Sequence, residues 1–160
     1  MKQEKAVPVK VELEKTATRD MRVLYIKDLA PTTEAIKEVL GKGYGELMQY
    51  IQTHRLQPKK FMAWYNSVKP PWPVEVAVET DSLSAQLSGR IQSRIVTGGE
   101  VIIAHMWGPY DQVSKAYEKI HLWLKENNRK ARGNPFEVYL NDPAMVSSPA
   151  DIQTDVYQPI

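Results

Sequence analysis

VIIAHMWGPY, residues 101–110, lies on VLYIKDLAPT, residues 23–32, with a shift of 78 (101 − 23), and Pro31 then falls on Pro109. Both stretches read as an apolar strand running into a proline turn, and each is followed by apolar residues at helical spacing. Further on, ELMQYIQ (46–52) lies on KIHLWLK (119–125), with Tyr50 over Trp123 at a shift of 73 (123 − 50). The first half therefore carries five extra residues (78 − 73), as many as GKGYG, Gly41 to Gly45. FMAWYN (61–66) then lies on FEVYLN (136–141) at a shift of 75 (136 − 61). Each half closes in a strand, Val74 to Glu79 and Asp155 to Gln158. The pattern predicts an internal duplication of strand, helix, strand, strand. The expected fold class is α+β: duplicated antiparallel sheet plus helix units related by a pseudo-twofold axis around a central ligand cleft. One domain covers 1–160, with repeats at about 21–80 and 100–158.

Local patterns fill in the elements. Val7, Val9, Val11 and Leu13 alternate with polar residues, the period of a half-buried strand. Met21 to Leu29 is a second strand, and a helix is expected to start near Thr32 or Thr33, with Ala35, Ile36, Val39 and Leu40 buried. Three glycines in five residues should break or kink it at GKGYG, because each costs about 1 kcal/mol against alanine in a helix. Helicity resumes at Leu47, Met48 and Ile51. In the second repeat Val113, Ala116, Tyr117, Ile120 and Leu124 fall on one helical face.

Composition narrows the function. The 160 residues suit one domain with a substantial core, and a formal charge of +2 offers no basic surface for nucleic acid. Without cysteine there is no disulfide, thiolate metal site or thiol nucleophile. The start, MKQEKAVPVKVELEK, is charged, and no apolar run is as long as a membrane span, so a cytoplasmic protein that does not enter membranes is expected. His54, His105 and His121 lack the spacing of a metal site.

Alternation in FEVYL places Phe136, Val138 and Leu140 on one strand face and Glu137 and Tyr139 on the other. With the apolar three given to the helix, Glu137 and Tyr139 should face the cleft, joined by Met62 and Trp64 at the corresponding positions of FMAWY. Trp107 and Tyr110 flank the turn and should rim the pocket, with His105 and Tyr25 on the adjoining strands. Tyr117 and Trp123, on the helix, are assigned to packing.

The run from Ile91 to Ile160 resembles the GyrI-like effector-binding family: an aromatic after the strand-ending Gly108-Pro109, an amphipathic helix with a Trp-Leu pair at 123–124, Glu137-Val138-Tyr139-Leu140, and a terminal TDVYQP. The amino-terminal half fits the pattern more loosely. That family provides the ligand sensors of AraC-type and MerR-type multidrug regulators and also occurs as stand-alone proteins. The resemblance implies that Glu137 faces the ligand and pairs with cationic or electrophilic molecules, beside Tyr139 and Tyr110. It uses the whole chain, leaving no helix-turn-helix, so no direct DNA contact is expected.

Two functions follow from the resemblance. In the first, a cationic amphipathic molecule stacks among Trp64, Tyr139, Tyr110 and Trp107, and Glu137 neutralises it. In the second, Glu137 is the general base and Tyr139 the acid of a hydrolase acting on cyclopropane-bearing electrophiles, as in some stand-alone relatives. No cofactor is expected. A gyrase-type protein inhibitor ranks below both, as does a haem protein of the related SOUL type with His105 as axial ligand.

Overall fold

The computed structural model describes residues 7–83 and 86–160, so the charged start, Met1 to Ala6, lies outside the described residues. Eight strands and two helices follow in the order β1 (Lys10–Thr18), β2 (Met21–Ala30), α1 (Ile36–Thr53), β3 (Pro58–Tyr65), β4 (Trp72–Thr80), β5 (Gln92–Val96), β6 (Gly99–Trp107), α2 (Ser114–Glu126), β7 (Phe136–Tyr139) and β8 (Gln153–Pro159). The protein is α+β. No helix among the described residues is long and apolar enough to cross a membrane.

The chain forms two compact units. One is continuous, Ala17–Gly99, and the other is split, Met1–Thr16 together with Glu100–Ile160. In the continuous unit the strands run β3-β4-β2-β5, and in the split unit β7-β8-β6-β1. Strand for strand these are the same order, with β2, α1, β3 and β4 answering to β6, α2, β7 and β8. The fourth strand differs in origin: β5 comes after its unit's other strands in sequence, whereas β1 comes before.

In the continuous unit, Leu24 and Ile26 lie opposite Val78 and Val76 across the β2–β4 ladder. All four are fully buried, with Leu47 and Ile51 of α1, each contributing about 1.5–3 kcal/mol by leaving water. GKGYG does not break the helix: α1 is continuous for 18 residues against 13 in α2, so the five extra residues lengthen it. Packing outweighs propensity here. A Cβ on Gly43 would stand 2.9 Å from the Val76 side chain, so the absent side chain lets α1 lie close on β4. Gly41 and Gly45 have nothing within 4 Å of that position.

In the split unit, Ile102, Ala104, Met106 and Val156 form a core with Ala116 and Ile120, against which Val113, Tyr117, Trp123 and Leu124 of the α2 segment pack, with Val9, Val11 and Leu13. The helical face read from the sequence is the buried one. β1 is displaced from the expected Val7–Leu13 and runs to Thr18. α1 starts later than expected, at Ile36, because 32–35 form a turn in which the Thr32 hydroxyl accepts from the Ala35 N–H at 3.3 Å.

The ladders correct the repeat register. Tyr25 faces Ala77 and Ile103 faces Tyr157, so a shift of 78 between β2 and β6 requires 80 between β4 and β8 (157 − 77). Met62 also faces Ala77, and Phe136 faces Tyr157, so β3 maps to β7 by 74 (136 − 62), not 75. Ala63, not Met62, answers to Glu137. A one-residue slip exchanges the faces of a strand, and the consequence falls on Glu137.

Candidate functional site

Glu137 faces α2. It lies opposite Val156, which lies opposite Ala104, and both belong to the core that α2 covers. The expectation that Glu137 and Tyr139 point away from the helix is therefore corrected: that face of β7 carries Phe136 and Val138, with Phe136 stacked on Tyr157 at 5.0 Å.

Three phenols converge on the carboxylate. Tyr110 donates to Glu137 Oε1 at 2.7 Å, Tyr139 donates to the same oxygen at 2.8 Å, and Tyr117 donates to Oε2 at 2.6 Å. They come from three segments: a 3-10 turn (Tyr110–Gln112), β7 and α2. The Gly-Pro turn positions the first. Gly108 has φ +143°, and a Cβ there would stand 3.0 Å from Val9 Cγ2, while its N–H donates to the Ile152 carbonyl at 2.9 Å. Tyr110 and Tyr139 meet edge to face at 5.9 Å.

Glu137 is 2 % exposed, whereas all three tyrosines are half-buried. The acid is thus more deeply buried than the three residues that hold it. Burial raises the Glu137 pKa above the ordinary carboxylate value, and the hydroxyl bonds from Tyr117, Tyr110 and Tyr139 oppose the shift without cancelling it. Among the described residues no lysine or arginine pairs with this carboxylate. Among the described residues its partners are the three hydroxyl dipoles.

The other sequence-predicted residues lie elsewhere. His105 and Trp107 share β6 with the core residues Ala104 and Met106 but alternate with them, facing away from α2. His105 is held at both ring nitrogens, by Asp155 at 2.9 Å and Glu14 at 2.8 Å. The Lys10 ammonium lies 5.1 Å from the Trp107 ring. Met62, Trp64 and Tyr25 belong to the continuous unit, on the face away from α1, where the Arg94 guanidinium stands over both Trp64 and Tyr25. Of the residues singled out, the structure brings together Glu137, Tyr139 and Tyr110. Sequence reasoning missed Tyr117 as a partner of the acid; its place on the same helical face as Ala116 and Ile120 was the available signal, once the β7 face is read correctly. Among the described residues no three histidine or acidic side chains form a group fit for a metal ion.

A duplicated α+β chain with a buried carboxylate beneath an aromatic rim is, in class, a small-molecule-binding domain. The sequence model of the GyrI-like small molecule binding domain matches residues 12–160, and the chain belongs to that family. Curated protein sequences give no match. Among solved structures, the chain is similar to EcmrR in its DNA complex, with TM-score 0.80 and 15 % identity over 93 % of this chain. The chain spans 57 % of that EcmrR polypeptide. The isolated EcmrR C-terminal domain matches with TM-score 0.74 and 16 % identity over 93 % of this chain and 96 % of that domain. A hydrolase from Listeria innocua matches with TM-score 0.70 and 12 % identity over 92 % of this chain and 91 % of its own. SAV2435 bound to tetraphenylphosphonium matches with TM-score 0.59 and 11 % identity over 92 % and 93 % of the two chains. At these identities the likeness is one of fold.

Proposed function

We propose that the protein binds an amphipathic organic cation at Glu137, with Tyr110, Tyr117 and Tyr139 as the aromatic walls. The observation that carries this reading is a buried carboxylate that has no counter-cation among the described residues and is raised in pKa by burial. A ligand cation supplies the missing charge, and the half-buried rings supply stacking and cation–π attraction. Access requires the phenol hydroxyls to give way, and Tyr117 rides on α2, so entry couples to movement of that helix or of the Tyr110 turn. The tetraphenylphosphonium held by SAV2435 makes that ion a suitable probe.

The test is calorimetry with tetraphenylphosphonium and the neutral triphenylphosphine oxide, on wild type and Glu137→Gln. The variant should lose about 1–3 kcal/mol for the cation, the scale of a charge-assisted contact, and much less for the neutral molecule. Cation affinity in the wild type should rise with pH as Glu137 ionises and then level off. Equal affinities across all four combinations would overturn the assignment. A hydrolytic reading uses the same carboxyl as general base toward water, favoured by its raised pKa; turnover of a cyclopropane-bearing electrophile beyond one equivalent, lost in Glu137→Gln, would select it over passive binding.

A further inference from the structure

A second carboxylate, Glu75, holds a cation that two aromatic rings flank. In the continuous unit the Arg94 guanidinium carbon lies 4.4 Å from the ring centroid of Tyr25 and 4.5 Å from that of Trp64. Its Nη1 donates to Glu75 Oε1 at 2.8 Å. Two further bonds brace the walls: Asn66 donates to Glu75 Oε2 at 3.1 Å, and the Tyr25 hydroxyl donates to Gln92 at 2.8 Å. Val23, Met62 and Ala77, all fully buried, share this face. Two rings and an acid around one positive group form the recognition chemistry of an aromatic cage.

We propose that Tyr25, Trp64 and Glu75 form a binding cage for a compact organic cation, a quaternary ammonium or alkylguanidinium head group, and that Arg94 is its tethered occupant, displaced when such a ligand binds. Three observations carry this. The fold does not require aromatic walls there, since the corrected repeat register places Ile103 at the position of Tyr25 and Val138 at that of Trp64 in the split unit. The walls are buried, Tyr25 to 9 % exposure and Trp64 to 6 %, while the Arg94 side chain is 31 % exposed, so the occupant has a route to water that the walls lack. And Arg94 stands on β5, five residues long and at the end of the strand order, so its side chain can swing to solvent without vacating a core position. Exchange of one cation for another keeps Glu75 neutralised. Burial alone would raise that carboxyl, but the bonds from Arg94 and Asn66 and the Arg94 charge hold it below the ordinary value.

The site is separate from Glu137, and the test is made in Glu137→Gln protein so that only the cage reports. Choline and its neutral isostere 3,3-dimethylbutan-1-ol are titrated calorimetrically against Glu137→Gln and against Glu137→Gln/Arg94→Ala. Removing the tethered competitor should tighten choline by about tenfold or more and leave the alcohol unchanged, because an intramolecular occupant acts as a high effective concentration of rival cation. Adding Trp64→Leu should cancel the gain. No gain for choline, or an equal gain for the alcohol, overturns the proposal. Should the Arg94→Ala protein fail to fold, the NMR signal of the Arg94 Nε–H in Glu137→Gln decides: held between two rings, it should move to the value of a free arginine as choline saturates, and a signal that stays in place overturns the proposal equally.

Discussion

The Tyr117 hydroxyl donates to Glu137 Oε2 at 2.6 Å, which ties α2 to β7 through a polar contact inside an otherwise apolar layer. Tyr117→Phe removes the donor and keeps the ring. Deprived of its bond at Oε2, the buried carboxylate should titrate higher still, and the protein should lose about 1–3 kcal/mol of unfolding free energy, the cost of a buried polar group left unpaired. Carbon-13 NMR of the Glu137 carboxyl and denaturant unfolding check the two effects. An unchanged titration would show that Tyr117 does not sustain the ionised form.

Glu137 should make stability depend on pH. Its folded pKa is raised, so the folded state holds the proton more tightly than the unfolded chain. The resulting stabilisation is complete below the unfolded value, about 4.3, and is lost as pH rises through the folded pKa. Glu137→Gln should abolish this loss and be the more stable protein at neutral pH, since a buried charge with no counter-cation among the described residues has been removed. Unfolding midpoints measured from pH 4 to 8 distinguish the two proteins.

His105 titrates at the other end of the range. Burial lowers its pKa, but the bonds to Glu14 and Asp155 and their charges outweigh this, and the net shift is upward. Its contribution is thus fully present below the unfolded value, about 6.5, and fades as pH rises through the folded pKa. His105→Gln should flatten the stability profile above pH 6.5 and leave the Glu137 step untouched. The proton NMR titration of His105 should have its midpoint above 6.5.

The three glycines of α1 should respond with opposite signs. Gly41→Ala and Gly45→Ala meet open space and should stabilise by about 0.5–1 kcal/mol through helix propensity. Gly43→Ala drives a methyl against Val76 and should destabilise by about 1–3 kcal/mol through overpacking. Thermal unfolding of the three variants ranks them.

Much of the fold could be read without coordinates. The proline turns, the strand–helix–strand–strand order and the buried face of α2 all follow from proline placement and apolar periodicity, whereas GKGYG, where a break is expected, instead lengthens α1. What failed has physical causes. Phe136, Glu137 and Val138 are all buried, and a strand buried on both faces has no amphipathic signal to say which side meets the helix. β5 escaped notice because an edge strand can leave an apolar residue outside, as with Ile95 at 58 % exposure. The Tyr110, Tyr117 and Tyr139 hydroxyls meet at one carboxylate because a turn, a helix and a strand converge there, which no local window reveals.

The split of one unit around the other also sets an order of events at the ribosome. Ala17–Gly99 is continuous, so every strand from β2 to β5 can find its partner as soon as β5 has been synthesised. β1 precedes that unit and waits for its partner: its neighbour β6 is completed only after the whole of Ala17–Gly99 has been made. Until then the nascent chain carries an unmatched strand, Lys10-Val11-Glu12-Leu13-Glu14-Lys15, in which charges flank Val11 and Leu13, the residues that later pack against the core. That alternation protects the waiting strand from pairing with other nascent chains, so the same glutamate that later grips His105 first serves as a guard against aggregation.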